Sequence, residues 1–167
     1  MCMTAAIEVL VVDVERGGIR AEDALGFVSD PSCGGITLFV GRVRDHSQGR
    51  QVNAVLYDMF EPLTLKVLEV AAHEAQVQWG PARIFVAHAR GHLGIGDVAM
   101  VVAVGTAHRD EAFRACRAVI EAVKHRAPIW KKEIFTDGES EWSEGCSLCD
   151  SAHAHAGDDS AAHHEAS

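Results

Sequence analysis

Between Val98 and Val104 the chain reads Val-Ala-Met-Val-Val-Ala-Val, seven residues without one polar side chain. A strand sends successive side chains to opposite faces, so a strand that is apolar throughout must be covered on both. Few short segments constrain a fold as tightly, because the remaining elements have to supply a layer on each side. The 167 residues, 48% of them hydrophobic, are enough for one α+β domain with a real core.

The rest of the chain offers the covering elements. Ile7 to Asp13, Ile36 to Val40, Val52 to Asp58 and Ala82 to Ala89 read as strands, and Gly91 to Asp97 as the connection into the apolar run. Ser47-Gln48-Gly49-Arg50 reads as a polar loop. Ala21 to Ser29 reads as a short helix stopped by Asp30-Pro31. A longer one starts at Pro62 and runs to Trp79, burying Leu65, Leu68, Ala72, Ala75 and Trp79, before Gly80-Pro81 ends it. A further helix covers about His108 to His125, with Phe113, Cys116, Val119, Ile120 and Val123 as its apolar stripe. Pro128 prevents its continuation, and Ile129 to Phe135 forms a last strand.

Charge is unevenly placed. From Asp137 onward there are eight acids and no Lys or Arg, so residues 1–136 hold the remaining 16 acids against all 15 bases. The body is therefore nearly neutral, with no basic stripe of the kind that holds nucleic acid. No apolar run approaches the roughly 18 residues that span a bilayer. The segment Met1-Cys2-Met3-Thr4 lacks the marks of a signal peptide, and five irregularly spaced cysteines make a poor disulfide framework. A reducing cytoplasm is the expected location. Residues 1–149 are expected to form the domain, and the Ala-, His- and acid-rich stretch 150–167 a disordered tail.

Three basic clusters stand at the ends of elements. Arg42 and Arg44 leave a strand; His108-Arg109 open the long helix, where free N–H groups and the dipole favour an anion. Lys124, Arg126, Lys131 and Lys132 flank Pro128 at its other end. In that crowd, like charge and the apolar neighbours Ile129 and Trp130 would favour a neutral amine, the form that serves as base or nucleophile. A helix of about 17 residues spans roughly 25 Å, so His108 and Lys124 meet only across a long substrate, folded loops or a second subunit.

These residues resemble a known family. Phe39-x-Gly41-Arg42-Val43-Arg44-Asp45-His46, then Gly105-Thr106-Ala107-His108-Arg109, then Lys124-His125-Arg126-Ala127-Pro128-Ile129-Trp130-Lys131-Lys132-Glu133 are similar in order and spacing to the catalytic (large) subunit of molybdopterin synthase. The resemblance covers roughly Gly34 to Trp142. It implies a hammerhead-like α+β fold: a mixed or antiparallel sheet with packed helices. It also implies sulfur transfer to cyclic pyranopterin monophosphate, which forms the dithiolene of molybdopterin. The sulfur would come from a thiocarboxylate on the C-terminal Gly-Gly of a small ubiquitin-like carrier, within a heterotetramer built on a dimer of large subunits. Lys124 and Lys131 would be the catalytic pair. Arg42, Val43, Arg44, His108, Arg109, Lys132 and Glu133 would bind substrate. No cofactor is implied, and no cysteine is required. One departure falls at Gly145, where the family pattern often carries a basic residue.

Two other readings use other residues. Cys146 and Cys149 with His153 and His155 have spacing suitable for a metal, and would make the chain a metal-delivery module. Alternatively, the change at Gly145 would leave a non-catalytic scaffold that kept the partner groove.

Overall fold

The computed structural model describes residues 4–143. The expected domain end at 149, the tail, Gly145 and the candidate metal ligands Cys146, Cys149, His153 and His155 lie outside that range. The strands are β1 (Ala6–Asp13), β2 (Gly35–Arg42), β3 (His46–Ser47), β4 (Arg50–Met59), β5 (Arg83–Gly94), β6 (Val98–Thr106), β7 (Ile129–Phe135) and β8 (Ser140–Trp142). The helices are α1 (Ala21–Val28), α2 (Glu61–Trp79) and α3 (Arg109–Arg126). Among the described residues, no helix is long and apolar enough to cross a membrane.

The sheet runs β2-β6-β5-β4-β7-β8, with β1 parallel to β5 and β3 beside β4. The other pairs along that path are antiparallel, so the sheet is mixed, as expected. β5 is the spine. Its first part lies between β6 and β1, and its last residues, Gly91 to Gly94, pair with β4. The stretch expected to be a connection is thus mostly strand, and the turn shrinks to Ile95-Gly96-Asp97. Gly91 makes this possible: it sits at φ 108°, and a Cβ there would lie 2.8 Å from Val14 Cγ2. Likewise, Gln48 and Gly49 turn the polar loop into a tight hairpin between β3 and β4, both at positive φ.

The apolar run of β6 is covered on both faces. Val101 and Ala103, with Phe85, Ala87 and Ala89 of β5, face Ala24 and Val28 of α1. Met100, Val102 and Val104, with Ile84 and Val86, face Leu68, Ala72 and Ala75 of α2 and Cys116, Val119 and Val123 of α3. Burying each such Val or Leu contributes about 1.5–3 kcal/mol. Two helix stripes differ from expectation. α2 buries Thr64 and Ala71 rather than fully enclosing Leu65 and Trp79. α3 buries Ala112 and Ala115, which rotates Phe113 outward to 60% exposure. Small residues let the helix lie close to the sheet, and a Phe at that contact would hold it off.

Candidate active site

Three separated stretches meet at the C-terminal end of α3. β2 ends at Arg42 and leads through Val43 to Arg44. Pro128 follows the last helical turn, and the Ile129 N–H donates to Ala127 O at 2.8 Å as the chain reverses into β7. β7 then pairs with β4, Met59 opposite Ile129 and Tyr57 opposite Lys131. The result is a cavity of about 740 Å³ whose lining includes Arg42, Arg44, Tyr57, His88, Lys124 and Lys131. A recess of about 40 Å³ shares Arg42, Arg44, Tyr57 and Lys131 with it and adds Val43 and Glu133.

The four cations are held differently. The Arg42 Nε–H donates to Gly96 O at 2.6 Å, which ties the guanidinium to the β5–β6 turn. Lys131 donates to Glu133 Oε1 at 2.5 Å, and the Glu133 side chain is only 8% exposed. Lys124 and Arg44 have no ion pair among the described residues. Lys124 stands in the last turn of α3, where the helix dipole favours a cation. Burial pushes the Glu133 carboxyl up, but hydrogen bonds from Lys131 and Ser47 and the charges of Lys131 and Arg44 outweigh it, leaving it below the ordinary glutamate range. Glu133 is therefore an anion that fixes Lys131 and balances part of the local positive charge.

Two neutral groups complete the wall. Burial, with a smaller effect from Glu133, pushes the Tyr57 phenol up to about 12. Burial also lowers His88 to about 4, against a hydrogen bond with Ala89 that favours the proton. Neither was among the residues expected to form the site. The available signals were a single histidine inside the apolar strand Ile84 to Ala89, and the only tyrosine in the chain.

Not every expected site residue reaches this cavity. His108 and Arg109 sit at the opposite end of α3, whose 18 residues span about 27 Å. Lys132 lies on the alternate face of β7, its ammonium 5.7 Å from the centre of the Trp142 ring. Arg126, expected to crowd Lys124, is bound instead to Glu74 of α2, at 2.5 and 3.2 Å. Of that crowd, only Lys131 shares a cavity with Lys124; the other cations there, Arg42 and Arg44, come from the end of β2 and the loop after it. A second concavity, lined by Lys66, Glu69, Val70, His73 and Val77 along α2, has no comparable convergence of cations.

An α+β domain with four cations and two neutral polar side chains around one open cavity, and a buried carboxylate in the recess beside it, is built to receive an anionic small molecule or chain end. Comparison with known proteins specifies the class further. The family model described as MoaE protein matches residues 14–126. A molybdopterin synthase catalytic subunit from Synechococcus elongatus is 42% identical over 139 residues, 83% of this chain and 84% of that protein. The molybdopterin synthase catalytic subunit 1 of Mycobacterium tuberculosis is 40% identical, over 74% and 84% of the two chains. The crystal structure of molybdopterin synthase from Staphylococcus aureus superposes with a TM-score of 0.74 at 31% identity, covering 82% of this chain and 96% of that one. The chain belongs to the MoaE protein family. That membership bears out the expectation of a molybdopterin synthase catalytic chain, a sulfur-transferring enzyme of molybdenum cofactor biosynthesis.

Proposed function

We propose that the cavity at the end of α3 is where sulfur passes from a thiocarboxylated carrier to cyclic pyranopterin monophosphate, with Lys124 and Lys131 as the catalytic pair. The observation that carries this is the convergence of Arg42, Arg44, Lys124 and Lys131, from two distant stretches of sequence, on one open cavity. Both reactants are anions, and bringing them together requires cations. Arg42, its orientation fixed at Gly96, and Arg44 suit bidentate recognition of the phosphate. Val43 and Glu133 shape the recess behind them.

Lys131 and Lys124 then divide the work. Glu133 holds the Lys131 ammonium in place, so Lys131 orients substrate and compensates charge that develops on it. Lys124, without a protein counter-ion among the described residues, is open to the carrier's thiocarboxylate. Neutralising that group, moving a proton and capturing the spent acyl end are all chemistry open to a lysine there.

The carrier is a small ubiquitin-like chain ending in Gly-Gly, and its extended tail enters from the open side of the cavity. His108, Arg109 and Lys132 serve a substrate site completed by a second copy, within a heterotetramer of two large and two small subunits. This arrangement accounts for cations at both ends of α3 without requiring one substrate to span its length. A cytoplasmic location belongs to the same reading, in keeping with the buried free thiol Cys116.

The test is a single turnover with the chain, its thiocarboxylated carrier and cyclic pyranopterin monophosphate. Dithiolene product is expected. Carrier binding without product would favour the non-catalytic scaffold.

A further inference from the structure

His88 lies mid-way along the spine strand β5, opposite Met100 of β6 and Val11 of β1. It is 7% exposed, and the exposure it retains is toward the cavity that it lines with Lys124 and Lys131. Its Nδ1 is 2.8 Å from Ala89 O, a carbonyl, so Nδ1 must carry the hydrogen and donate. Its ring packs edge-on to Tyr57 at 5.0 Å between centroids and 78° between planes, which fixes the imidazole in orientation. A histidine that only fills the core would have both nitrogens matched or sealed. Here Nε2 has no hydrogen-bond partner among the described residues, and it is not one of their sealed, orphaned polar atoms.

We propose that His88 binds the substrate, its Nε2 lone pair accepting a hydrogen bond from an N–H or O–H of the bound heterocycle. This rests on the pterin reading of the cavity and adds a division within it. The cations take the phosphate and the thiocarboxylate, while His88 reads the uncharged ring. Burial keeps the imidazole neutral through the physiological range, so it remains an acceptor beside four cations that can only donate. Tyr57, also kept protonated, supplies a neutral donor next to it. A neutral donor and acceptor side by side suit the mixed edge of a cyclic amide or amidine, which point charges cannot discriminate.

The test is equilibrium binding of cyclic pyranopterin monophosphate to the full chain in its carrier complex, for wild type, His88→Phe and His88→Gln. Phe keeps the packing against Tyr57 and removes the acceptor; the Gln carbonyl reaches close to the place of Nε2. Loss of one hydrogen bond that leaves a donor unpaired weakens affinity about ten-fold. His88→Phe should show that loss, with carrier affinity and competition by inorganic phosphate unchanged and Tm lowered only modestly, by the lost Nδ1–Ala89 hydrogen bond. His88→Gln should recover most of it. Equal pterin affinity in wild type and His88→Phe would overturn the proposal while leaving the sulfur-transfer reading intact. A parallel loss of phosphate competition would also overturn it, by showing that the cavity had collapsed. Failure of the wild type itself to bind the pterin would refute the sulfur-transfer reading and this inference with it.

Discussion

The two ends of α3 carry similar cations and have different surroundings. At the N-terminal end, His108 and Arg109 follow β6 at the surface, with the backbone of Gly35 so close that a Cβ there would lie 2.8 Å from Arg109 Cα. At the C-terminal end, Lys124 faces a cavity to which β2, β5 and β7 each add polar side chains. Helix electrostatics alone would favour an anion at the N-terminal end, where the dipole is positive. Convergence works the other way, because only the C-terminal end gathers four cations around one volume, with a buried carboxylate in the recess beside it. What makes a site here is the number of elements that meet, and the charge at a helix end is secondary.

Mutations can break this contrast, beginning at the cavity. Lys124→Ala should lower the single-turnover rate about 100-fold or more, with near-wild-type circular dichroism and carrier binding. Lys131→Ala should cost about 30-fold, and somewhat more than Lys131→Arg, which preserves a donor to Glu133. Arg109→Ala should cost about ten-fold; restoration of activity on mixing with Lys124→Ala would show that the two residues act from different copies.

Glu133→Gln sharpens the picture through pH. The carboxyl is held below the ordinary glutamate value near 4.5, so its stabilising contribution is present above that value and is lost as pH falls through the lowered one. Acid unfolding of the wild type should therefore be steeper below pH 4.5 than that of Glu133→Gln, measured by thermal melts across that range. The smallest effect is expected at Arg126. Its guanidinium is committed to Glu74 in an exposed pair, and Arg126→Ala should leave turnover within about two-fold and thermal stability close to wild type.

Much of the scaffold was legible from residue pattern. The apolar run at Val98 to Val104 required two covering layers, and α1 on one side with α2 and α3 on the other supply them. Elements whose pairing is long-range were less legible. Gly91 to Gly94 has turn-like composition, yet backbone pairing with β4 makes it strand. β8 is three exposed residues held by β7 and by the hydrogen bonds of Arg50 to Asp137, Glu139 and Glu141, none of which leaves a local periodicity. Phe113 fits the helical period well enough to be placed in the core, but the close approach of α3 through Ala112 and Ala115 leaves no room for it there.

Within the site, motif resemblance pointed to Arg42, Arg44, Lys124, Lys131 and Glu133, and the fold brings these together. It pointed equally to His108, Arg109 and Lys132, which one chain does not bring to the cavity, since a linear motif does not say which copy a residue serves. Arg126 shows the same limit at closer range. It is two residues from Lys124, yet the helical rotation between them turns one toward the cavity and the other toward α2. His88 and Tyr57 gave only a composition signal, because what matters in them is burial and a fixed ring, properties of the packed sheet.

The most direct measurement is the single-turnover rate of dithiolene formation for Lys124→Ala and Arg126→Ala side by side, each saturated with thiocarboxylated carrier and pterin. If the cavity is where sulfur moves, Lys124→Ala loses about 100-fold or more and Arg126→Ala stays within about two-fold of wild type. Equal losses, or an active Lys124→Ala, would place the chemistry elsewhere on the molecule.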